Sequence, residues 1–292
     1  MSIRRKRSGE VVVVTDSTAY LPAALADELA VRIVALHVTI DGRSGRDGID
    51  IDSAAVTLGL RERRSVTTSR PSPADFASVY RAALAGGAAA VVSIHVSAAL
   101  SGTWDSARLA AQDFGYGTVR VVDSRSAGMG LGFAVLAAAR AAAAGATAAE
   151  VQDAAIATVD RTRVLFYVDS LEYLRRGGRI GSAAARLGTS LSVKPLLHVV
   201  DGRIVLLERV RTATKALARL QALTVAYCDS APVDIAVQHL DAPERAGQLA
   251  GQLRAAVPGL RELYLSEVGA VVGAHLGPGV IGTVVVRRDQ EH

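Results

Sequence analysis

The stretch Val11-Val12-Val13-Val14-Thr15-Asp16-Ser17-Thr18, followed by Ala23 to Leu29, decides how this 292-residue chain is built. Four β-branched residues in a row predict a buried strand, because such side chains pack well on a pleated surface. The run ends in a polar, hydroxyl-rich turn, and the next apolar residues have helical spacing. Strand, polar loop and helix therefore follow one another within about twenty residues. The same pattern returns at Ala90 to Val96, with the loop Ser97 to Thr103 and a helix from about Trp104. It returns again at Thr118 to Val122, with Asp123 to Gly132 and an alanine-rich helix. Repeated β-loop-α units predict a parallel sheet with helices on both faces. Ligands of such sheets sit beyond the carboxyl ends of the strands, where these polar loops lie.

The texture changes after about Arg161. Val164 to Val168 reads as a strand, and Lys194 to Val200 and Arg203 to Val210 flank Asp201-Gly202, a hairpin turn signal. A strand at Asp234 to His239, a helix over Pro243 to Val257 and a last strand at Val280 to Val286 follow. The reading is α/β, with a Rossmann-like parallel-sheet domain over residues 10–162 and a smaller mixed α/β domain over 163–288.

Composition narrows the function. Half of the residues are hydrophobic but only 4% are aromatic, so buried surface is aliphatic and base-stacking platforms are disfavoured. The net charge of +5 comes mostly from Arg4, Arg5, Lys6 and Arg7, a tail expected to be unstructured. No nucleic-acid partner is expected, and no apolar run is long enough to span a membrane. The one cysteine, Cys228, reads as a packing residue and fits a cytoplasmic location. No phosphate loop, dinucleotide fingerprint, nucleophile elbow or zinc spacing occurs. No catalytic residue, cofactor or metal is expected.

Three loops remain: Thr67 to Pro73, Ser97 to Thr103, and Gly273 to Gly279. Each offers hydroxyls, an imidazole or exposed N–H groups that could hold an oxyanion; each could equally be a helix cap or turn. His275 is the best ligand candidate, because its glycine neighbours allow close approach. His37, His95, His198 and His239 lie in apolar runs and read as core or strand residues. Asp16 and Asp123 end strands on the side expected to face a site, or cap helices there.

Taken in order, these segments resemble the DegV family. The resemblance is carried by residues 14–22, Thr68-Ser69-Arg70-Pro71-Ser72, Leu100-Ser101-Gly102-Thr103, Val122-Asp123-Ser124 with Gly130-Leu131-Gly132, Tyr173 to Ile180 with Lys194-Pro195, Val210-Arg211-Thr212, and His275 to Gly279. It implies a carrier that buries one long-chain fatty acid, palmitate- or oleate-like, between two α/β domains. It also implies a partner, an ATP-dependent fatty acid kinase subunit that phosphorylates the presented carboxylate. Thr68, Ser101 and His275 are the implied carboxylate clamp, with Asp16, Ser17, Ser97, Gly102 and Gly277 in supporting loops. Arg179 and Arg211 are assigned to partner docking or phosphoryl transfer. Three departures stand out: Tyr20 replaces a usual Asp, Arg70 a common Gln, and Thr189 to Ser192 is unusually polar. The competing reading is an acyl hydrolase with Ser101 as nucleophile and His275 as base; a lipid binder without a kinase partner is the third.

Overall fold

The computed structural model describes residues 9–180 and 194–288; the basic tail and the polar stretch Thr189 to Ser192 lie outside the described residues. The valine run forms β1 (Val11–Asp16) at the heart of a four-stranded sheet. Its neighbours are β2 (Arg32–Val34) and β6 (Ala90–His95), and β7 (Val119–Asp123) completes the order β2-β1-β6-β7. All the pairings are parallel. Helices cover both faces. The alanine-rich α5 (Met129–Ala143) and α6 (Ala148–Asp160) pack with Val13, Ile94 and Val122. On the other face α3 (Pro73–Ala85) and α4 (Thr103–Ala111) pack with Val12, Val14 and Val91. The sides alternate because successive strand residues point to opposite faces.

The later half forms a separate six-stranded mixed sheet. Its strands are β8 (Thr162–Tyr167), β9 (Lys194–Val200), β10 (Arg203–Val210), β11 (Val233–His239), β12 (Leu260–Glu267) and β13 (Ile281–Arg287), in the order β10-β9-β8-β13-β11-β12. Leu165, Tyr167, Ile235, Val237, Ile281 and Val285 face α8 (Ala213–Cys228) and α9 (Pro243–Ala256). Cys228 is buried in that layer. The alternate residues point the other way, and Ala236, Val284 and Val286 pack with Met129, Phe133 and Leu136 of α5. Helix α5 therefore belongs to both sheets, which explains why it is apolar on nearly all sides.

The sequence reading omitted a third sheet. Strands β3 (His37–Ile40), β4 (Arg43–Arg46) and β5 (Val66–Ser69) form a small antiparallel sheet in the order β4-β3-β5. Its strands are four residues long and at least half polar, β4 having no apolar side chain at all, so they show no clear alternation. As a result Thr68 lies on a strand, not in a loop. His275 is likewise not in a glycine loop: it stands in the last turn of α10 (Ala270–Leu276). Gly273, read as a loop residue, is helical and lies against Leu240, where a Cβ would come within 3.1 Å.

Candidate functional site

A cavity of about 130 Å³ lies between the α5-facing side of the six-stranded sheet, α10 and the loops that follow β1, β6 and β7. Both halves of the chain line it. Its walls are mostly apolar, with Val164, Phe166, Val199, Ile204 and Val284 among them. Thr68, Ser69, Arg70, Ser101, Arg179 and His275 supply a concentrated polar group.

Thr68 and His275, which are 207 positions apart, meet here: Thr68 Oγ1 and His275 Nε2 are 2.8 Å apart. Burial, and then the positive charge of Arg179, depress the His275 pKa from 6.5 to about 4. The imidazole is therefore neutral at neutral pH. Its Nδ1 is buried with no hydrogen-bond partner among the described residues. A Cβ on Gly177 would fall 2.3 Å from that atom, so only glycine fits there.

Ser101 lines the same cavity. Its hydroxyl lies 2.8 Å from Thr103 Oγ1 and accepts the Thr103 N–H at 3.3 Å. The Arg179 Nε donates to the Leu100 carbonyl at 3.1 Å and so ties the Ser101 loop to the later half. Arg70 covers Gly102 so closely that a Cβ there would lie 1.9 Å from the guanidinium. Arg211 does not join this group; it is exposed between β10 and α8 and is not among the cavity-lining residues.

The remaining motif residues act through backbone and helix placement. Asp16 is fully buried and accepts from the Thr18 N–H at 3.0 Å, the Val96 N–H at 2.9 Å and His95 Nδ1 at 3.0 Å. Asp123 accepts from the N–H groups of Ala98 and Arg125. Ser97 donates to the Gly202 carbonyl at 2.8 Å, joining the β6 loop to the β9–β10 turn. Gly277 ends α10 at φ 77°, with the Tyr173 ring occupying the space a Cβ would need.

Helix α10 has no capping side chain of its own. Asp47 supplies one from a distant segment, accepting the Ala270 N–H at 2.9 Å and the Val271 N–H at 3.4 Å. Ser17 donates to the same carboxylate at 2.8 Å, and the Tyr20 hydroxyl oxygen accepts the Val272 N–H at 3.1 Å. Burial raises the pKa of both Asp47 and Tyr20. Sequence reasoning missed Asp47 because it stands in an unremarkable turn, and its role exists only once α10 is brought to it. Gln238 was missed for a similar reason. It is a buried amide in the cavity wall, held by the Met129 N–H at 2.8 Å and by Ser266.

A second histidine cluster is sealed off. Tyr80 donates to Ser93 Oγ at 2.8 Å, Ser93 lies 2.6 Å from His95 Nε2, and His95 Nδ1 faces Asp16. These residues combine serine, histidine and aspartate, but all are fully buried and none lines the cavity. They form a satisfied core network. Among the described residues no group of His, Cys, Asp or Glu is arranged to hold a metal, and no helix is long and apolar enough to cross a membrane.

The DegV family, described as uncharacterised, matches residues 10–288. A DegV domain-containing protein of Streptomyces coelicolor is 51% identical over 96% of this chain and 100% of its own. A structure described as showing fatty acid binding of a DegV family protein from Thermus thermophilus shares 36% identity. It superposes with a TM-score of 0.90, covering 96% of this chain and 100% of that one. DegV from Bacillus subtilis, described as a fatty acid binding protein, shares 32% identity with a TM-score of 0.87, over 96% of this chain and 100% of its own.

Proposed function

We propose, from the premise that this chain belongs to the DegV family, that it carries one long-chain fatty acid of palmitate or oleate type. The carboxylate is held by Thr68, Ser101 and His275. The site lies between two units, residues 10–162 and 163–288, and the carrier works in the cytoplasm. The observation that carries this reading is the cavity itself: apolar walls with hydroxyls, a neutral imidazole and two guanidinium groups gathered among its lining residues. Burying an acyl chain gains about 0.8 kcal/mol per methylene. Burying its carboxylate without partners would cost more than a few methylenes return. A neutral ring and two hydroxyls can satisfy that charge without a fixed ion pair. The fatty-acid-binding relatives of known structure support the same ligand class.

The carboxylate so held is available to a phosphate donor, and a separate ATP-dependent kinase subunit supplies it. Arg179 at the cavity and the exposed Arg211 serve docking or charge stabilisation during the transfer. The hydrolase alternative is weakened by the bonding of its two actors. A serine nucleophile needs its base within hydrogen-bond reach. Ser101 is bonded to Thr103, whereas His275 Nε2 is bonded to Thr68.

Native mass spectrometry of the purified protein tests the reading, with a copurified long-chain fatty acid as the expected result. Ester hydrolysis or ATP turnover by the pure chain, abolished in Ser101→Ala, would overturn it. Phosphorylation of the bound acid only when a kinase subunit and ATP are added tests the partner.

A further inference from the structure

The register of the six-stranded sheet divides the cavity wall into rungs. In one, Phe166 pairs with Gly282 and Gly282 with Gln238. In the next, Val284 pairs with Val164, and the β8–β9 register brings Val199 beside Val164. Val199 in turn pairs with Ile204. Residues of both rungs line the cavity. The following rung does not. Thr162 and Val286 pair there, and Thr162 instead lines a second space of about 180 Å³. That space is polar, bounded by Ser124, Arg125, Ser126, Asp160 and Arg163. Among the described residues only Val164 and Val199 line both spaces.

His275 stands at the opposite end. His275 and Leu276 end α10, and Val280 leads into β13 at Ile281, which pairs with Tyr167 at the far end of β8 from Thr162. An acyl chain with its carboxylate at His275 therefore runs along the sheet, past Gly282, toward the valine rung.

We propose that Val164, Val199, Ile204 and Val284 form the end stop that sets the length of the bound acyl chain, with Val164 and Val199 as the wall to the polar space behind. This rests on the fatty-acid reading above. The chemistry favours an end stop there. A methyl terminus gains by resting on β-branched side chains. Pushing it further would place it among Ser126, Thr162 and Arg163, where an apolar group displaces polar contacts and gains little burial. Gly282 contributes the clearance upstream, since a Cβ there would approach Phe166 Cβ to 3.1 Å.

The test is competition among myristate, palmitate, stearate and arachidate for delipidated protein, read by native mass spectrometry. Val164→Ala and Val199→Ala should shift preference toward acids about two carbons longer, by about tenfold in relative affinity. They should also admit ω-hydroxypalmitate, whose hydroxyl would enter the polar space. Val199→Phe should move the preference toward myristate. Opposite shifts in the two directions support the end stop, and circular dichroism establishes that each variant is folded. An unchanged rank order in folded variants overturns the end stop and leaves fatty acid binding intact. If the wild-type protein takes up none of the acids, the fatty-acid reading fails and the end stop fails with it.

Discussion

Acidification should destabilise the lipid-free protein through His275 in a defined window. Burial and the charge of Arg179 hold its folded-state pKa at about 4, against 6.5 for the ordinary side chain. As pH falls below about 6.5 the unfolded chain takes up a proton on this residue, whereas the folded protein does not until about 4. Unfolding is therefore favoured progressively across that interval, and stability rises with pH there. The shift corresponds to roughly 2–3 kcal/mol, lowered slightly for the partial exposure of the ring. The measurement is urea unfolding of delipidated wild type and His275→Gln at several pH values spanning the window. Lipid must be removed, since bound ligand stabilises the folded state by mass action. Carboxylates titrating in the same range affect both proteins and cancel in the difference. Wild type should lose roughly 2–3 kcal/mol relative to the variant between the ends of the window. A flat difference would refute the buried, neutral imidazole on which the proposed clamp depends.

Thr68→Val and Ser101→Ala should each weaken fatty acid binding about ten- to a hundred-fold, the loss of one hydrogen bond to a charged group, without abolishing it; displacement of a fluorescent fatty acid measures this. Arg211→Ala should leave that affinity unchanged and slow acyl phosphate formation with a kinase subunit; outright loss of lipid would place the arginine in the clamp instead. Asp47→Ala should leave the first N–H groups of α10 without their partner, costing roughly 1–2 kcal/mol of stability. Because α10 carries Val271, Val272, His275 and Leu276 into the cavity, the same variant should also weaken binding, and Asp47→Glu should restore neither.

The sequence by itself determined most of the two larger sheets. Apart from the three-residue β2 and the half-polar β12, which it did not show, their strands are apolar runs of five to eight residues, long enough for β-branched composition and alternation to be read locally. The polar residues at the strand ends were equally legible, because parallel sheets turn those ends toward ligands. The conformation around two of the three proposed clamp residues was not. Thr68 proved to be in a strand and His275 in a helix, since the third sheet and α10 are short and draw their stability from neighbours remote in sequence. Asp47 capping α10 across more than two hundred residues has no local signal at all. Nor does the neutrality of His275, which arises from burial and from Arg179 brought beside it by folding. Residue types and strand periods are properties of a chain segment. Depressed pKa values, shared cavity walls and caps supplied from afar are properties of distances between segments, and only the tertiary structure fixes those.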